Sequence, residues 1–133
     1  ALFERHNDYH LGKARDALEK VNLWEKRSEL AVNLSYGQRK LLEIARAVST
    51  QAEIYLFDEP FAGLFPEIIK TVSGIIKELK KEGKTVVLIE HNMELIRELC
   101  DNVIVMDSGR LLAQGQPEEV LRKKEVVEAY LGE

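Results

Sequence analysis

Two adjacent acidic residues follow a short apolar segment, an arrangement suited to phosphoryl transfer. Asp58 and Glu59 lie near the end of the run EIYLFDEP, whose apolar and aromatic residues predict a buried strand that leads into a loop. One carboxylate there can hold a metal ion while the other orients or deprotonates a water, and Mg²⁺ favours one or two carboxylates together with phosphate oxygens. The simpler alternative is that Asp-Glu-Pro merely ends a strand, and so short a motif does not decide between the two.

A second candidate is the segment LSYGQ, residues 34–38, which precedes an amphipathic helical pattern. The apolar positions that share one face of this helix are Leu41, Leu42, Ala45 and Val48. Ser, Gly and the unpaired amide groups of a helix N-terminus suit an anion. Helix-end charge contributes only about 0.3 to 1 kcal/mol at an exposed site, which is too little to bind a nucleotide unaided.

His91 is a third candidate, because it ends a second apolar run, TVVLIEH. A histidine after a parallel strand, beside the edge that carries the acidic pair, could hydrogen-bond a γ-phosphate. A surface histidine or a helix-capping histidine is the alternative, and His91 considered by itself favours that alternative.

The sequence lacks the glycine-rich loop that usually cradles nucleotide phosphates, which needs Gly, four residues and then Gly-Lys-Ser/Thr. Gly83-Lys84-Thr85 matches only the end of that pattern, because Glu78 stands where the first glycine belongs. It also lies between a predicted helix and a predicted strand, the reverse of the required order, so we interpret Gly83 as a helix cap. The sequence therefore carries half of a nucleotide site.

Apolar spacing predicts the elements that position these residues. One helix is expected from Leu11 to about Leu23 and another from Pro66 to a cap at Gly83. A strand, a helix and a strand of this length predict a parallel crossover, with both strands buried on both faces. Asp58, Glu59 and His91 then emerge at one edge of the sheet, which is where ligands bind in open parallel sheets.

The flanking segments give further expectations. The first helix is predicted from apolar residues that recur at helical spacing, which are Leu11, Ala14, Leu18 and Val21. The segment NVIVMDSGRLLAQG predicts an antiparallel hairpin around DSG. Pro117 begins a last helical segment that we expect to break near Lys124.

Composition limits the class of protein. With 133 residues, of which 45% are hydrophobic, the chain can bury one core. Its 19 Lys and Arg residues are interspersed with 23 Asp and Glu residues, so nothing in the charge pattern calls for nucleic acid or an anionic membrane surface. No apolar run approaches the roughly 18 residues of a membrane-spanning helix. The chain begins without Met and within a helical pattern, so we expect it to be processed or part of a longer chain.

The single cysteine, Cys100, excludes an internal disulfide and a metal cluster of several cysteines. This fits a reducing compartment. Its position after Ile96 and Leu99 indicates core packing rather than reactivity.

Taken in order, LSYGQ, IYLFDEP and LIEH resemble the C-terminal half of the nucleotide-binding domain of ATP-binding cassette (ABC) ATPases. DEPFAGL together with IEHNM looks most like the cassettes of branched-chain amino-acid importers. The resemblance implies an α/β fold. Its sheet would be a partial P-loop NTPase (RecA-like) parallel sheet with flanking helices, and part of the ABC helical subdomain would precede it. Residues 1–50 would end the helical subdomain and include the signature motif. Residues 51–133 would form the C-terminal half of the catalytic core, with the Walker A half absent.

The resemblance assigns a role to each motif residue. Asp58 would contact Mg²⁺ directly or through water, Glu59 would act as general base or orient the water, and His91 would sense the γ-phosphate. The signature motif would serve ATP held by the P-loop of a second cassette in a head-to-tail dimer, through Ser35, Tyr36, Gly37 and Gln38. The D-loop would comprise Ala62, Gly63, Leu64 and Phe65.

Two residues depart from the family pattern. Tyr36 stands where the family most often has Gly, which would alter how closely the backbone approaches a phosphate, and Phe65 replaces the usual D-loop Asp. The Walker A loop, the aromatic residue that stacks on adenine and the Q-loop glutamine are absent from the sequence and would lie upstream of Ala1.

The resemblance implies part of an ATP-hydrolysing subunit that powers a membrane importer for amino acids, with ATP and Mg²⁺ as cofactors. Its partners would be a second cassette and transmembrane permease subunits, at the cytoplasmic, inner face of the cell membrane. The chain alone is expected not to bind or hydrolyse ATP efficiently, and its open sheet edge is expected to promote self-association. Two alternatives remain, a soluble ABC ATPase of translation or DNA repair and a non-catalytic docking module. The short segment after Gly115 leaves little room for the insertions of soluble members, which favours transport.

Overall fold

A computed structural model describes the backbone of residues 2–131 and the side chains of residues 10–130. The chain divides into two compact units, of which the first ends at Val87 and the second begins at Leu88. The elements in chain order are α1 (Leu2–Lys20), α2 (Tyr36–Ser49), β1 (Ile54–Asp58), α3 (Pro66–Lys81), β2 (Thr85–Ile89), α4 (Met93–Leu99), β3 (Val103–Asp107), β4 (Arg110–Gly115), α5 (Pro117–Val120) and α6 (Lys124–Leu131). Short 3₁₀ turns occupy Trp24–Lys26 and Ala31–Asn33.

The first helix differs from its prediction at both ends, because α1 begins at Leu2 and ends at Lys20. Leu11 and Ala14 are exposed, whereas Val21 is buried and Leu18 is half-buried. Ala17, near the end of α1, is also buried. Apolar spacing therefore predicted a helix here but misplaced both of its ends.

Helices α1 and α3 end in the same way. After α1 the amide of Leu23 donates to the carbonyl of Leu18 across Asn22, whose φ is 57°. After α3 the amide of Lys84 donates to the carbonyl of Leu79 across Gly83, whose φ is 79°. A left-handed residue at this position, with this hydrogen bond, is the Schellman motif. The predicted capping role of Gly83 is confirmed.

The predicted α/β fold with a parallel sheet and flanking helices is confirmed, because β1 pairs with β2 and α3 connects them. At the start of this pair the amide of Thr85 donates to the carbonyl of Glu53 at 2.9 Å. The expected burial of β1 on both faces is wrong, because Tyr55 and Phe57 are buried while Leu56 is 76% exposed. Successive strand residues face opposite sides, so the described chain covers only one face of β1.

The second unit contains the predicted hairpin, in which β3 pairs antiparallel with β4. Asp107 pairs with Arg110, which leaves a two-residue loop whose residues Ser108 and Gly109 both have positive φ, 48° and 75°. These angles are typical of a type I′ turn, whose twist matches that of the strands. The final helix breaks as predicted, since α5 ends at Val120 and α6 begins at Lys124.

One face of this hairpin packs with the helices that follow and precede it into a small apolar core. The buried residues of this core are Ile96, Val103, Val105, Ala113, Val120, Leu121 and Val126. Cys100 is half-buried and packs against this core, which confirms the packing role expected from the sequence. Among residues 2–131, no helix combines the length and the apolar composition needed to cross a membrane.

Candidate functional site

A reciprocal cap begins α2. The hydroxyl oxygen of Ser35 accepts a hydrogen bond from the backbone amide of Gln38 at 3.3 Å. The side-chain oxygen of Gln38 in turn accepts from the backbone amide of Ser35 at 3.0 Å. This capping box pairs two amides that a helix start otherwise leaves without acceptors, so the predicted signature residues Ser35 and Gln38 also define where the helix begins.

The cap leaves two first-turn amides available. Within the described part of the chain, no acceptor pairs with the backbone N–H groups of Tyr36 and Gly37. Both stand at the positive end of a 14-residue helix. Two adjacent N–H groups at this position can donate to a phosphate oxygen, the chemistry expected of the signature segment.

The acidic pair lies at the C-terminal end of β1. Asp58 is the last residue of the strand, Glu59 follows it, and both are exposed, whereas Pro60 and Phe61 are buried immediately afterwards. The chain thus returns to the core directly after presenting two carboxylates to solvent. Among the described residues no cluster of three or more acidic, histidine or cysteine side chains could cage a metal. One or two carboxylates completed by phosphate oxygens suit Mg²⁺, so the donors present fit that ion.

Glu59 has an unusual backbone conformation that sequence reasoning missed. Its φ is 45°, which is rare for a residue other than glycine and costs of order 1 to 3 kcal/mol. The amide of Ala62 donates to the carbonyl of Glu59 at 3.2 Å and closes a turn around this conformation. The local sequence gave no signal for it, since a residue before proline ordinarily favours extended backbone.

The structure brings the signature segment and the D-loop together within the first unit. The hydroxyl of Tyr36 donates to the carbonyl of Ala62 at 3.3 Å. A Cβ atom placed on Gly63 would meet the Tyr36 ring at 3.4 Å, and one placed on Gly37 would overlap Cδ1 of Ile68. The start of α2 therefore lies close to the start of α3, and a side chain at position 37 would require Cδ1 of Ile68 to move. Sequence reasoning did not identify Ile68 as a neighbour of Gly37.

The remaining D-loop residues have different surroundings. Leu64 is half-buried, and Phe65 is 76% exposed at the N-cap of α3, where its side chain makes no capping hydrogen bond. The aromatic ring of Phe65 thus points outward from the first unit. Nothing in the described chain explains why an aromatic residue replaces the usual Asp there.

His91 belongs to the second unit, where it is exposed two residues after the end of β2. Its backbone amide donates to a carboxylate oxygen of Glu90 at 3.2 Å. The next residue, Asn92, caps α4, because its side-chain oxygen accepts from the amides of Glu94 and Leu95 at 3.0 and 3.3 Å. The helix-capping alternative for His91 is therefore wrong, and its imidazole is a surface group at a strand end.

A half-open cavity of about 470 Å³ lies in the first unit, apart from these residues. It is lined by Lys13, Lys20 and Lys84 among others. Lys13 donates to Gln51 at 2.9 Å and Lys84 to Glu53 at 2.6 Å, and the latter hydrogen bond raises the pKa of Lys84. Because its lysines already have protein partners, this cavity is not the candidate site.

Comparison with known proteins begins with the sequence. Residues 4–62 match the family model described as "ABC transporter". The chain is 42% identical over 132 residues to the high-affinity branched-chain amino acid transport ATP-binding protein LivG of Salmonella typhimurium, covering 98% of this chain and 52% of the relative. It is 40% identical to the high-affinity branched-chain amino acid transport ATP-binding protein BraF of Pseudomonas aeruginosa, covering 98% of this chain and 52% of the relative. The arginine transport ATP-binding protein ArtM of Bacillus subtilis is 43% identical over 80% of this chain and 45% of its own length.

Solved structures agree with the sequence matches. A nucleotide-free ATP-binding cassette from an ABC transporter superposes with a TM-score of 0.81 at 35% identity, over 92% of this chain and 50% of that chain. An ATP-binding cassette of an ABC transporter in its ADP conformation superposes with a TM-score of 0.80 at 36% identity, over 92% of this chain and 50% of that chain.

The chain spans about half the length of the relatives and cassettes that it matches. The order of the motifs, the fold around them and the matches all indicate the same relationship. The chain is thus related to the ATP-binding subunits of branched-chain amino-acid transporters, and part of it matches the ABC transporter family model.

Proposed function

We propose that this chain supplies the signature segment, the Walker B acids and the switch histidine of an ATP-hydrolysing subunit that drives amino-acid uptake across a membrane. In this proposal the 133-residue chain by itself neither binds nor hydrolyses ATP efficiently, because its sequence contains no Walker A loop. The nucleotide phosphates are held by that loop in the complete protein and by the partner's loop across a dimer.

The observation that carries the proposal is the arrangement of the first unit. The open amides of Tyr36 and Gly37 begin α2, the carboxylates of Asp58 and Glu59 end β1, and the contact of Tyr36 with Ala62 joins the two segments. Both features suit phosphates. The amides donate hydrogen bonds to an anion, and the carboxylates hold a metal ion and a water. The names of the relatives LivG, BraF and ArtM support amino acids as the class of transported molecule.

Each residue then has a defined task. Glu59 holds the attacking water and accepts its proton, and the left-handed backbone of Glu59 fixes where this carboxylate leaves the chain. Asp58 provides the carboxylate for Mg²⁺, which when bound neutralises charge on the phosphate oxygens. His91, exposed after β2, donates a hydrogen bond to the γ-phosphate, and the amides of Tyr36 and Gly37 donate to the phosphate held by a second cassette.

The proposal extends to partners and place. A signature segment without its own phosphate loop requires a second cassette, arranged head to tail, to supply the phosphate. Transmembrane permease subunits couple hydrolysis to uptake, which places the complex on the cytoplasmic face of the membrane.

The decisive experiment is ATP hydrolysis by the natural protein that contains this chain, with Glu59→Gln as the test variant. Loss of a general base lowers turnover about a hundredfold to ten-thousandfold. ATP binding, measured by calorimetry, should remain, because the amide keeps the shape of the side chain. The matched control is Glu67→Gln, another exposed acid of the first unit, whose turnover should be unchanged. Undiminished hydrolysis by Glu59→Gln would remove the role given to Glu59.

Co-purification separates the transport proposal from the two alternatives. A transporter subunit isolated from membranes carries a hydrophobic permease subunit with it, whereas a soluble ABC ATPase of translation or DNA repair does not. A non-catalytic docking module would show no magnesium-dependent hydrolysis in the natural protein. Either of those results would replace the proposal with the corresponding alternative.

A further inference from the structure

Tyr36 makes a specific contact that its position in the signature segment does not require. Its side chain is half exposed, yet its hydroxyl reaches 26 residues along the chain to donate to the carbonyl of Ala62 at 3.3 Å. The ring passes over Gly63, where any Cβ would lie 3.4 Å from the ring carbon Cε1. That distance is an ordinary van der Waals contact, so the Tyr36 ring lies against Gly63, and it is the φ of 68° that favours glycine there.

Ala62 connects this contact to Glu59. The peptide groups of Ala62 are engaged on both sides, because its amide donates to the carbonyl of Glu59 at 3.2 Å and its carbonyl accepts from Tyr36. The turn from Glu59 to Ala62 also contains the strained φ of 45° at Glu59. A strained conformation persists only where the surroundings hold it, and the Tyr36 hydroxyl is one of the groups that hold this turn.

The other end of the contact is fixed as well. The backbone of Gly37 approaches Ile68 so closely that a Cβ would overlap Cδ1 of that side chain, and Leu64 lies 3.9 Å from the same point. The first turn of α2 is therefore packed against the start of α3, and the side chain of Tyr36 extends from this packed turn. A hydrogen bond from a packed segment restrains its acceptor more effectively than one from an unpacked segment.

We propose that Tyr36 is a positioning residue, which holds the turn from Glu59 to Ala62 and thereby fixes the carboxylate of Glu59. The inference rests on the proposed function, because Glu59 is the residue that it positions. It gives Tyr36 a role through its side chain and within its own subunit, distinct from the role of its backbone amide toward a partner's phosphate. It also accounts for tyrosine at a position where glycine would make no such link.

The first test measures the turn itself and needs no catalysis. Tyr36→Phe keeps the ring over Gly63 and removes only the hydroxyl, so the amide of Ala62 should exchange with solvent about twofold to tenfold faster, the range for one hydrogen bond. NMR exchange rates on the natural protein provide the measurement. Tyr130→Phe, the same change at an exposed tyrosine of α6, is the control and should leave the exchange of Ala62 unchanged. Unchanged exchange at Ala62 in Tyr36→Phe would overturn the link.

The second test measures catalysis. Tyr36→Phe should lower kcat about twofold to tenfold with KM for ATP unchanged, because the hydroxyl restrains the base rather than the nucleotide. Tyr36→Ala, which also loses the ring, should lower kcat further. A raised KM with unchanged kcat would assign Tyr36 to nucleotide binding and overturn the positioning role, as would faster exchange with unchanged kcat. If the unsubstituted protein does not hydrolyse ATP, the proposed function fails, and the exchange rates alone decide whether Tyr36 holds the turn.

Discussion

At the scale of single residues, Glu59 holds a left-handed backbone with a φ of 45°, and the hydroxyl of Tyr36 reaches the carbonyl of Ala62 at 3.3 Å. The sequence alone predicts Asp58, Glu59 and the signature segment as site residues, because residue types and order carry that information. It could not indicate the left-handed backbone of Glu59 or the reach of Tyr36 to Ala62, which depend on atoms brought together from distant positions. The roles of Glu59 and His91 in catalysis stay predictions.

Gly37 offers a test of the close approach between α2 and α3. Gly37→Ala places a Cβ against Cδ1 of Ile68, so it should lower the free energy of unfolding by about 1 kcal/mol, the low end of the overpacking range, because the end of this side chain can move. The double variant Gly37→Ala/Ile68→Val lacks the overlapping Cδ1 atom and should recover most of that loss. Urea unfolding provides the measurement.

Gly74→Ala is the matched control for Gly37→Ala. No atom lies within 4 Å of the added Cβ, and alanine favours a helix interior, so stability should not fall. Equal effects of the two substitutions would show that close packing is not what requires glycine at position 37.

At the scale of elements, helices whose ends carry strong signals were predicted best. Pro66 and Gly83 delimited α3 to within two residues, and DSG located the hairpin turn, because proline, glycine and short polar residues restrict the backbone locally. The start of α1 was missed by nine residues, since the sequence before Leu11 carries no regular apolar spacing. The burial of β1 was overestimated because a run of apolar residues does not reveal how many faces are covered.

The cap of α2 allows its structural role to be separated from its proposed binding role. Ser35→Ala removes the side chain that accepts from the amide of Gln38, and should destabilise the protein by about 0.5 to 2 kcal/mol. Ser35→Asp keeps a capping oxygen and should retain stability, but its charge should repel a phosphate and weaken the proposed ATP-driven dimerisation of the natural protein that contains this chain. Thermal unfolding and sedimentation with ATP measure the two effects. Equal dimerisation of Ser35→Asp and the unsubstituted protein would contradict the proposed anion site.

At the scale of the whole molecule, the chain presents apolar surface that a globular protein of this size ordinarily buries. On β1, Ile54 and Leu56 are 61% and 76% exposed, and on β2, Val87 and Ile89 are 48% and 57% exposed. The sequence separately predicts an open apolar edge of the sheet beside β1, from the absent P-loop strand, and this stays a prediction. The predicted boundary near residue 50, between the helical subdomain and the catalytic core, stays a prediction.

Self-association of the 133-residue chain should follow from this surface. A charged residue on an exposed strand opposes pairing, so Leu56→Lys should shift the chain toward monomer in sedimentation over a range of concentrations. Leu30→Lys is the matched control, because Leu30 is 71% exposed but lies outside the sheet. A chain that is monomeric at all concentrations without substitution would contradict the prediction.

The capping box at the start of α2 uses only part of the hydrogen-bonding capacity of its two side chains. The cap uses only oxygen lone pairs of Ser35 and Gln38, as acceptors from backbone amides. A hydroxyl also has a hydrogen to donate, and a side-chain amide has two, none of which the cap uses. A phosphate needs only donors. Under the proposed function, folding therefore uses the acceptor atoms of these two side chains and phosphate binding would use their hydrogens, so that an anion would bind without loosening the first turn of the helix.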